Sequence, residues 1–450
     1  MNIKSYKIEK KQTPVSIFFS MRKKFGSPVS LFESISIDEK NKMSIIAACP
    51  ICEICSYNNS FEKLEQALSQ TKKINIKNLP FQGGLIGYFN FEIFGEIEKN
   101  FAKKTELPNA IFYEFSRLVF FDHKQKKIIF VQTNENPDFE KENLEILEQT
   151  KFYKEKKLDP KILKDKKWAD FSKINLELTF EEFAKKVDIA KKAIFDGEIF
   201  QIIVSNGFQK KISHNDALRF YEILRIIEPT THLFLLDFGE KYGQICGATP
   251  EILGTKKGKN VWYRPIAGTR FRGKNKKEDM EILAKMKKNE KENAEHDMLV
   301  DLGRNDLGKV CLPGTVKMTK KKYGKFFANL MHMISDLKGE IDKKNFGAID
   351  FFKSIFPAGT LSGAPKIRAI EIIQKLEKNP RGLYGGSVGY FSADQNMEFC
   401  IAIRSFFLKN NIIKFRTGGG IVQDSVAEDE WLELHNKATS LVKVFNFVEK

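Results

Sequence analysis

The stretch that begins Thr179-Phe-Glu-Glu-Phe-Ala-Lys-Lys-Val187 and ends Ile199-Phe-Gln-Ile-Ile-Val-Ser-Asn-Gly-Phe208 decides the fold class. Thr179 and Glu182 have the spacing of a capping box, in which each side chain satisfies a backbone N–H at the helix start. Phe183, Val187, Ala190 and Ile194 then recur at helical spacing until Gly197 stops them. Directly afterwards, Ile199–Phe208 reads as a buried strand with Gln201 and Ser205 as its polar interruptions. A capped helix running straight into an apolar strand sets helix and sheet side by side.

Working outward, glycine-bounded strands are expected at Ser387–Phe391, Phe399–Ser405 and Ile412–Thr417, with helices near Met280–Leu302 and Ala427–Val444. Their irregular order predicts an α+β fold rather than a strict βαβ rhythm. Residues 1–150 alternate short apolar runs with turns, as in Leu85–Phe89 and Leu118–Phe121, and read as a sheet-rich N-terminal region. A Lys-rich linker is expected over 151–172, and 173–450 holds most residues with chemistry to offer. No internal repeat is visible.

Of the 450 residues, 42% are hydrophobic and 30% charged, which excludes a disordered tail or a fibre. The formal net charge is +17, yet Lys is interleaved with Glu and Asp along the whole chain. No basic-aromatic recognition motif accompanies it, so no nucleic-acid partner is expected. No uncharged apolar run approaches ~18 residues, so no membrane span is expected. Met1-Asn-Ile-Lys-Ser-Tyr-Lys7 lacks an apolar signal segment, and the cytoplasm is the expected compartment. Cys49, Cys52 and Cys55 tempt a metal reading, but no second Cys/His pair follows at zinc-finger spacing, and reduced structural thiols are expected.

Several clusters carry chemistry. Glu430, Glu433 and Lys437 fall at i, i+3 and i+7 on one helical face, and Glu295-His296 lies on another helix. Two carboxylates meeting from separate helices suit Mg²⁺; a salt-bridged surface face has the same spacing. Gly418-Gly-Gly420 reads as a loop able to offer backbone N–H groups to an anion, or simply as a tight turn. Gly359-Thr-Leu-Ser-Gly-Ala-Pro-Lys366 opens a helix but lacks the Gly-Lys-Ser/Thr ending of a P-loop, which removes an ATP reading. Arg404 ends an apolar run where a guanidinium suits a carboxylate, from a substrate or from the protein itself. His332 lies among apolar residues.

Taken in order, these segments resemble the chorismate-utilising enzymes over nearly the whole chain. The strings are Phe81–Tyr88, Phe121-Asp-His123, Gly197–Ser205, Gly247-Ala-Thr-Pro-Glu-Ile-Leu253, Arg264-Pro-Ile-Ala-Gly-Thr-Arg270, Ala294-Glu-His296 with Leu299–Gly308, Gly359–Lys366, Tyr384-Gly-Gly386, Ile403-Arg404, and Gly418–Ser425 with Asn436-Lys-Ala438. The resemblance implies a core of two packed, largely antiparallel sheets wrapped by helices. It implies a Mg²⁺ ion on Glu295 and Glu433. Lys437 and the amides of Gly418, Gly419 and Gly420 would hold the ring carboxylate of chorismate. Tyr384 and Arg404 would hold its enolpyruvyl carboxylate, with Thr360 lining the pocket. Glu251 resembles the acid that helps the ring hydroxyl leave, and His332 matches a histidine tied to pyruvate elimination.

Two positions favour the anthranilate-forming branch. Water-using relatives carry a Lys where Gln201 stands, and a Gln cannot deprotonate water, which fits ammonia as nucleophile. Aminodeoxychorismate synthases commonly carry a nucleophilic Lys where this chain has Ala267. Aminodeoxychorismate or aminodeoxyisochorismate formation is the alternative. No Gly-x-Cys-x-Gly turn is present, so the resemblance implies a separate glutamine amidotransferase subunit as ammonia source. Leu31-Phe-Glu-Ser34 is close to a family string that binds tryptophan, making Glu33 and Ser34 candidate contacts. The second tryptophan string is replaced by Glu228-Pro-Thr-Thr-His-Leu-Phe234, and a family Pro is replaced by Phe271.

Overall fold

A computed structural model describes residues 1–35, 43–98, 101, 107–156, 158, 166–326 and 330–450. Its strands pair antiparallel throughout and form two arms that share the long strand Ala110–Asp122. The first arm runs in the order Gln201–Lys211, Ile412–Ile421, Ser405–Lys409, Gln244–Thr249, His232–Asp237, Val29–Ile35, Met43–Ser56. From Ala110–Asp122 the second arm runs through Gly84–Phe89, Ser387–Ser392, Met397–Ile401, Ile252–Lys257, Asn260–Tyr263 and Leu330–Glu340.

Alternation along each strand sends successive side chains to opposite faces. Ile45 and Ala47 enter an apolar cluster between the arms, whereas Ile46 and Ala48 enter the cluster beneath the helices. Phe234 and Leu236 from the first arm meet Tyr88, Val388 and Tyr390 from the second in that middle layer. The outer face of the first arm is covered by Pro14–Phe25, Phe180–Phe195, Ala217–Ile227 and Ala427–Val448. That of the second is covered by Ser60–Gln70, Glu290–Gly308 and Ala348–Ile355. The result is the expected α+β architecture, two packed antiparallel sheets between helical layers.

Local chemistry explains where the elements differ from expectation. The helix expected near Met280–Leu302 is two, Lys276–Lys288 and Glu290–Gly308. Asn289 separates them, its side chain accepting from the Glu292 N–H at 3.0 Å as an N-cap. The expected strand Phe399–Ser405 is likewise two, Met397–Ile401 in the second arm and Ser405–Lys409 in the first. Between them Arg404 adopts φ +48°, and the chain crosses from one arm to the other. The Lys-rich stretch is described only in part, since 157 and 159–165 lie outside the described residues.

Cys49, Cys52 and Cys55 do not converge. Each packs against a different apolar cluster; Cys49 sits at φ +58°, and the strand register shifts just after it, between Pro50 and Cys52. No helix among the described residues is long and apolar enough to cross a membrane.

Candidate active site

Two neighbouring segments switch between the arms at the same place. Gln244–Thr249 belongs to the first arm and Ile252–Lys257 to the second, with Glu251 at the corner. Ile401 and Ser405 flank the other corner, which carries Arg404. The corners are stitched together: the Ile401 N–H donates to the Glu251 carbonyl at 3.0 Å, and the Ala248 N–H to the Arg404 carbonyl at 3.1 Å. An arginine at positive φ carries a strain of ~1–3 kcal/mol, which persists where surrounding structure over-determines the backbone. The seam therefore aims an acid and a guanidinium from adjacent turns.

Glu251 accepts a hydrogen bond from the Thr360 hydroxyl at 3.0 Å. Burial raises its carboxyl above the ordinary value; the Thr360 bond and the charges of Arg404 and Lys437 offset part of that rise. Glu251, Thr360, Arg404 and Lys437 are thus brought to one place from four separate strings. Arg404 donates from Nη1 to the Glu228 carboxylate at 2.6 Å. His332, on the strand Leu330–Glu340, is pushed down to about 4 by burial and then by the positive charge of Arg404. Its imidazole is therefore neutral at neutral pH.

Gly418, Gly419 and Gly420 lie in the strand Ile412–Ile421, paired with Ser205, Val204 and Ile203, and not in the loop their composition suggested. They are glycines because other side chains occupy the space. A Cβ on Gly418 would lie 2.7 Å from the Tyr384 hydroxyl, on Gly419 2.9 Å from Glu430 Oε2, and on Gly420 2.3 Å from Gln201 Nε2. The same Gln201 Nε2 donates to Glu295 Oε1 at 3.2 Å. Lys437 donates to the Gly418 carbonyl at 3.0 Å and pairs with Glu433 at 2.7 Å. Burial raises the Tyr384 hydroxyl, so it stays a hydrogen-bond donor. Three bare backbone positions therefore gather Tyr384, Gln201 with Glu295, and the polar face of the last helix.

Glu33 lies on the first-arm strand Val29–Ile35. Its buried carboxylate accepts from the Tyr221 hydroxyl at 2.6 Å and from Arg225 Nη2 at 3.0 Å. The Ser34 side chain lies outside the described residues.

Residues 24–443 match the family model of the chorismate binding enzymes. The chain is 36% identical to anthranilate synthase component 1 of Acetivibrio thermocellus, covering 96% of this chain and 92% of that protein. It is 34% identical to anthranilate synthase component 1 of Aquifex aeolicus, covering 98% and 93%. This chain belongs to the chorismate binding enzyme family. Among solved structures, anthranilate synthase component I from Streptococcus pneumoniae superposes with a TM-score of 0.76 at 30% identity, covering 98% of this chain and all of that one. The menaquinone-specific isochorismate synthase of Escherichia coli shares the fold, with a TM-score of 0.72 at 16% identity over 98% and 94% of the two chains.

For this chorismate binding enzyme the structure adds one carboxylate, Glu228, and gives a place to Glu430, which helical spacing had singled out. Glu430 reaches the glycine strand and accepts from the Ser425 hydroxyl at 2.6 Å. Its helical spacing with Glu433 and Lys437 was the available signal. Glu228 gave none, because its pairing with Arg404 spans 176 positions.

Proposed function

We propose that this chain converts chorismate and ammonia to anthranilate, pyruvate and water, as the synthase component of a two-component, Mg²⁺-dependent lyase. The full-length similarity to anthranilate synthase component 1 proteins supports this reading over one that stops at an aminodeoxy product. The observation that carries it is the meeting of Glu251, Thr360, Arg404 and Lys437 at the seam between the arms. A carboxyl held above its ordinary value keeps a proton to give to the departing ring hydroxyl. Beside it, Arg404 and Tyr384 offer donors to the enolpyruvyl carboxylate, and Lys437 offers one to the ring carboxylate.

Gln201 offers no base that could deprotonate water, so ammonia is the nucleophile this wall permits. It adds at ring C2 as the hydroxyl leaves with the Glu251 proton. His332, neutral at working pH, is able to accept the C2 proton as the enolpyruvyl C–O bond breaks, releasing pyruvate and leaving an aromatic ring. Glu295 and Glu433 fit a magnesium ion in kind: both are oxygen donors, and the exposed Glu433 leaves room for the waters this ion retains. When bound, Mg²⁺ supplies positive charge for a dianionic substrate and its leaving group. Ammonia is proposed to come from a separate glutamine amidotransferase chain.

The test is incubation of the purified chain with chorismate, Mg²⁺ and ammonium at alkaline pH, with products read by fluorescence and mass. Anthranilate and pyruvate in equal amounts are expected. An amino product that keeps the enolpyruvyl group would replace this reading with an aminodeoxy-synthase.

A further inference from the structure

The helix Ala217–Ile227 presents Tyr221 and Arg225 one turn apart, and its C-terminal cap Glu228 follows three residues later on the same face. The first two clasp the buried Glu33 carboxylate at 2.6 and 3.0 Å. The third holds Arg404 Nη1 at 2.6 Å, in a half-buried pair. The C-terminal half of this short helix is therefore anchored in the core, and its cap grips Arg404 on a different segment. A guanidinium carries five N–H donors in a rigid fork, and Glu228 accepts one of them, from Nη1.

We propose that Glu228 is a positioning residue: its carboxylate pins one arm of the Arg404 fork so that the other arm faces the enolpyruvyl carboxylate of the substrate. The inference rests on the reading of Arg404 given under Proposed function. An arginine left unpinned must lose its rotamer freedom when the substrate arrives, whereas a pinned one has lost it beforehand. The position of this charge matters doubly, because it also acts on Glu251 and His332. Glu33 with Tyr221 and Arg225 fixes the helix from which Glu228 reaches.

The experiment measures kcat and KM for chorismate, with saturating ammonium and Mg²⁺, in Glu228→Ala and Glu228→Gln, each alone and in an Arg404→Ala background. Losing a charge-assisted bond should raise KM about tenfold in Glu228→Ala, and the neutral acceptor of Glu228→Gln should limit the rise to about threefold. In both, kcat should change less than KM. In the Arg404→Ala background neither substitution should have a further effect, because Glu228 acts through Arg404.

The same loss with or without Arg404 would mean that Glu228 merely supports the fold, and would overturn the inference. A lower KM would make Glu228 a competitor of the substrate and overturn it as well. If Glu228→Ala does not fold, the near-isosteric Glu228→Gln decides by the same criteria. Turnover by the wild type with KM unmoved in both variants would overturn this inference alone. Absence of turnover in the wild type would overturn the reading of the site and this inference with it.

Discussion

Glu251 is half-buried and Glu377 buried, and burial is the largest influence on each, yet their acidities move in opposite directions. Glu377 caps the helix Lys366–Leu376 and accepts from the Ser205 N–H and hydroxyl at 3.2 and 2.8 Å, and from Arg381 Nε and Nη2 at 2.7 and 2.9 Å. Arg381 also donates to the Leu361 and Ile203 carbonyls, and Arg416 bonds both Ser205 and Glu177. This wiring holds the Glu377 carboxyl at about 2. Glu251 has the Thr360 hydroxyl and two more distant positive charges, and it rises. Ser205 of the Glu377 cluster pairs in register with Gly418, whose carbonyl accepts from Lys437 beside Glu251. What separates the two carboxylates is the number of donors aimed at each, not its depth.

The largest expected effect breaks the reactive side of this comparison. Glu251→Gln keeps the shape and the Thr360 contact but removes the proton donor, so kcat should fall ~10²–10⁴-fold. Circular dichroism should stay unchanged. A variant that retained a tenth of wild-type turnover would take the acid role away from Glu251.

The structural side breaks differently. Arg381→Ala leaves Glu377 buried without its main partner, and removing one member of a buried pair costs ~3–5 kcal/mol. Denaturant unfolding should show that loss directly. A cost below ~1 kcal/mol would mean that Arg416 and Ser205 suffice for Glu377, and the contrast with Glu251 would weaken.

A smaller effect sharpens the boundary between the two regions. Gly420→Ala places a methyl where Gln201 Nε2 stands, and the side chain must move off Glu295. Turnover should fall about tenfold, a loss of ~1.4 kcal/mol in transition-state stabilisation, because a displaced group near the reacting atoms is costly. Stability should change little, since Gln201 lies at the end of its strand. Equal activity would show that Gln201 is free to yield without consequence.

These glycines also show how far the sequence could be read. Helical and strand periods were visible because each is local: Phe183, Val187 and Ala190 are buried as their spacing predicts. Even the helix break was present in Asn289-Glu-Lys-Glu292, a capping residue with acids behind it. Gly418–Gly420 looked like a loop because consecutive glycines usually relieve turn strain. Here they make room for Tyr384, Glu430 and Gln201, which arrive from other segments. The strand broken at Arg404 was hidden for the same reason, since the switch between arms is a tertiary event. Motif strings named the candidates for the site; only the fold showed that Glu251 and Arg404 sit on hydrogen-bonded corners and that Glu228 holds one of them.

The smallest expected effect is what pH does to the folded protein, and its sign separates the two carboxylates. Glu377 has a folded value below its unfolded one, so its contribution is complete above about 4.5 and is lost as pH falls toward about 2. Glu251 has a raised folded value, so between about 4.5 and that value the folded state holds the extra proton. Its contribution to stability therefore falls as pH rises through this window, and Glu251→Gln removes the dependence. Melting temperatures of wild type and variant should be nearly equal at pH 4 and diverge toward pH 8, with the variant the more stable. Parallel curves from pH 4 to pH 8 would mean that the Glu251 carboxylate is ionised in the folded state as readily as in water, and the acid assigned to this seam would have to be sought elsewhere.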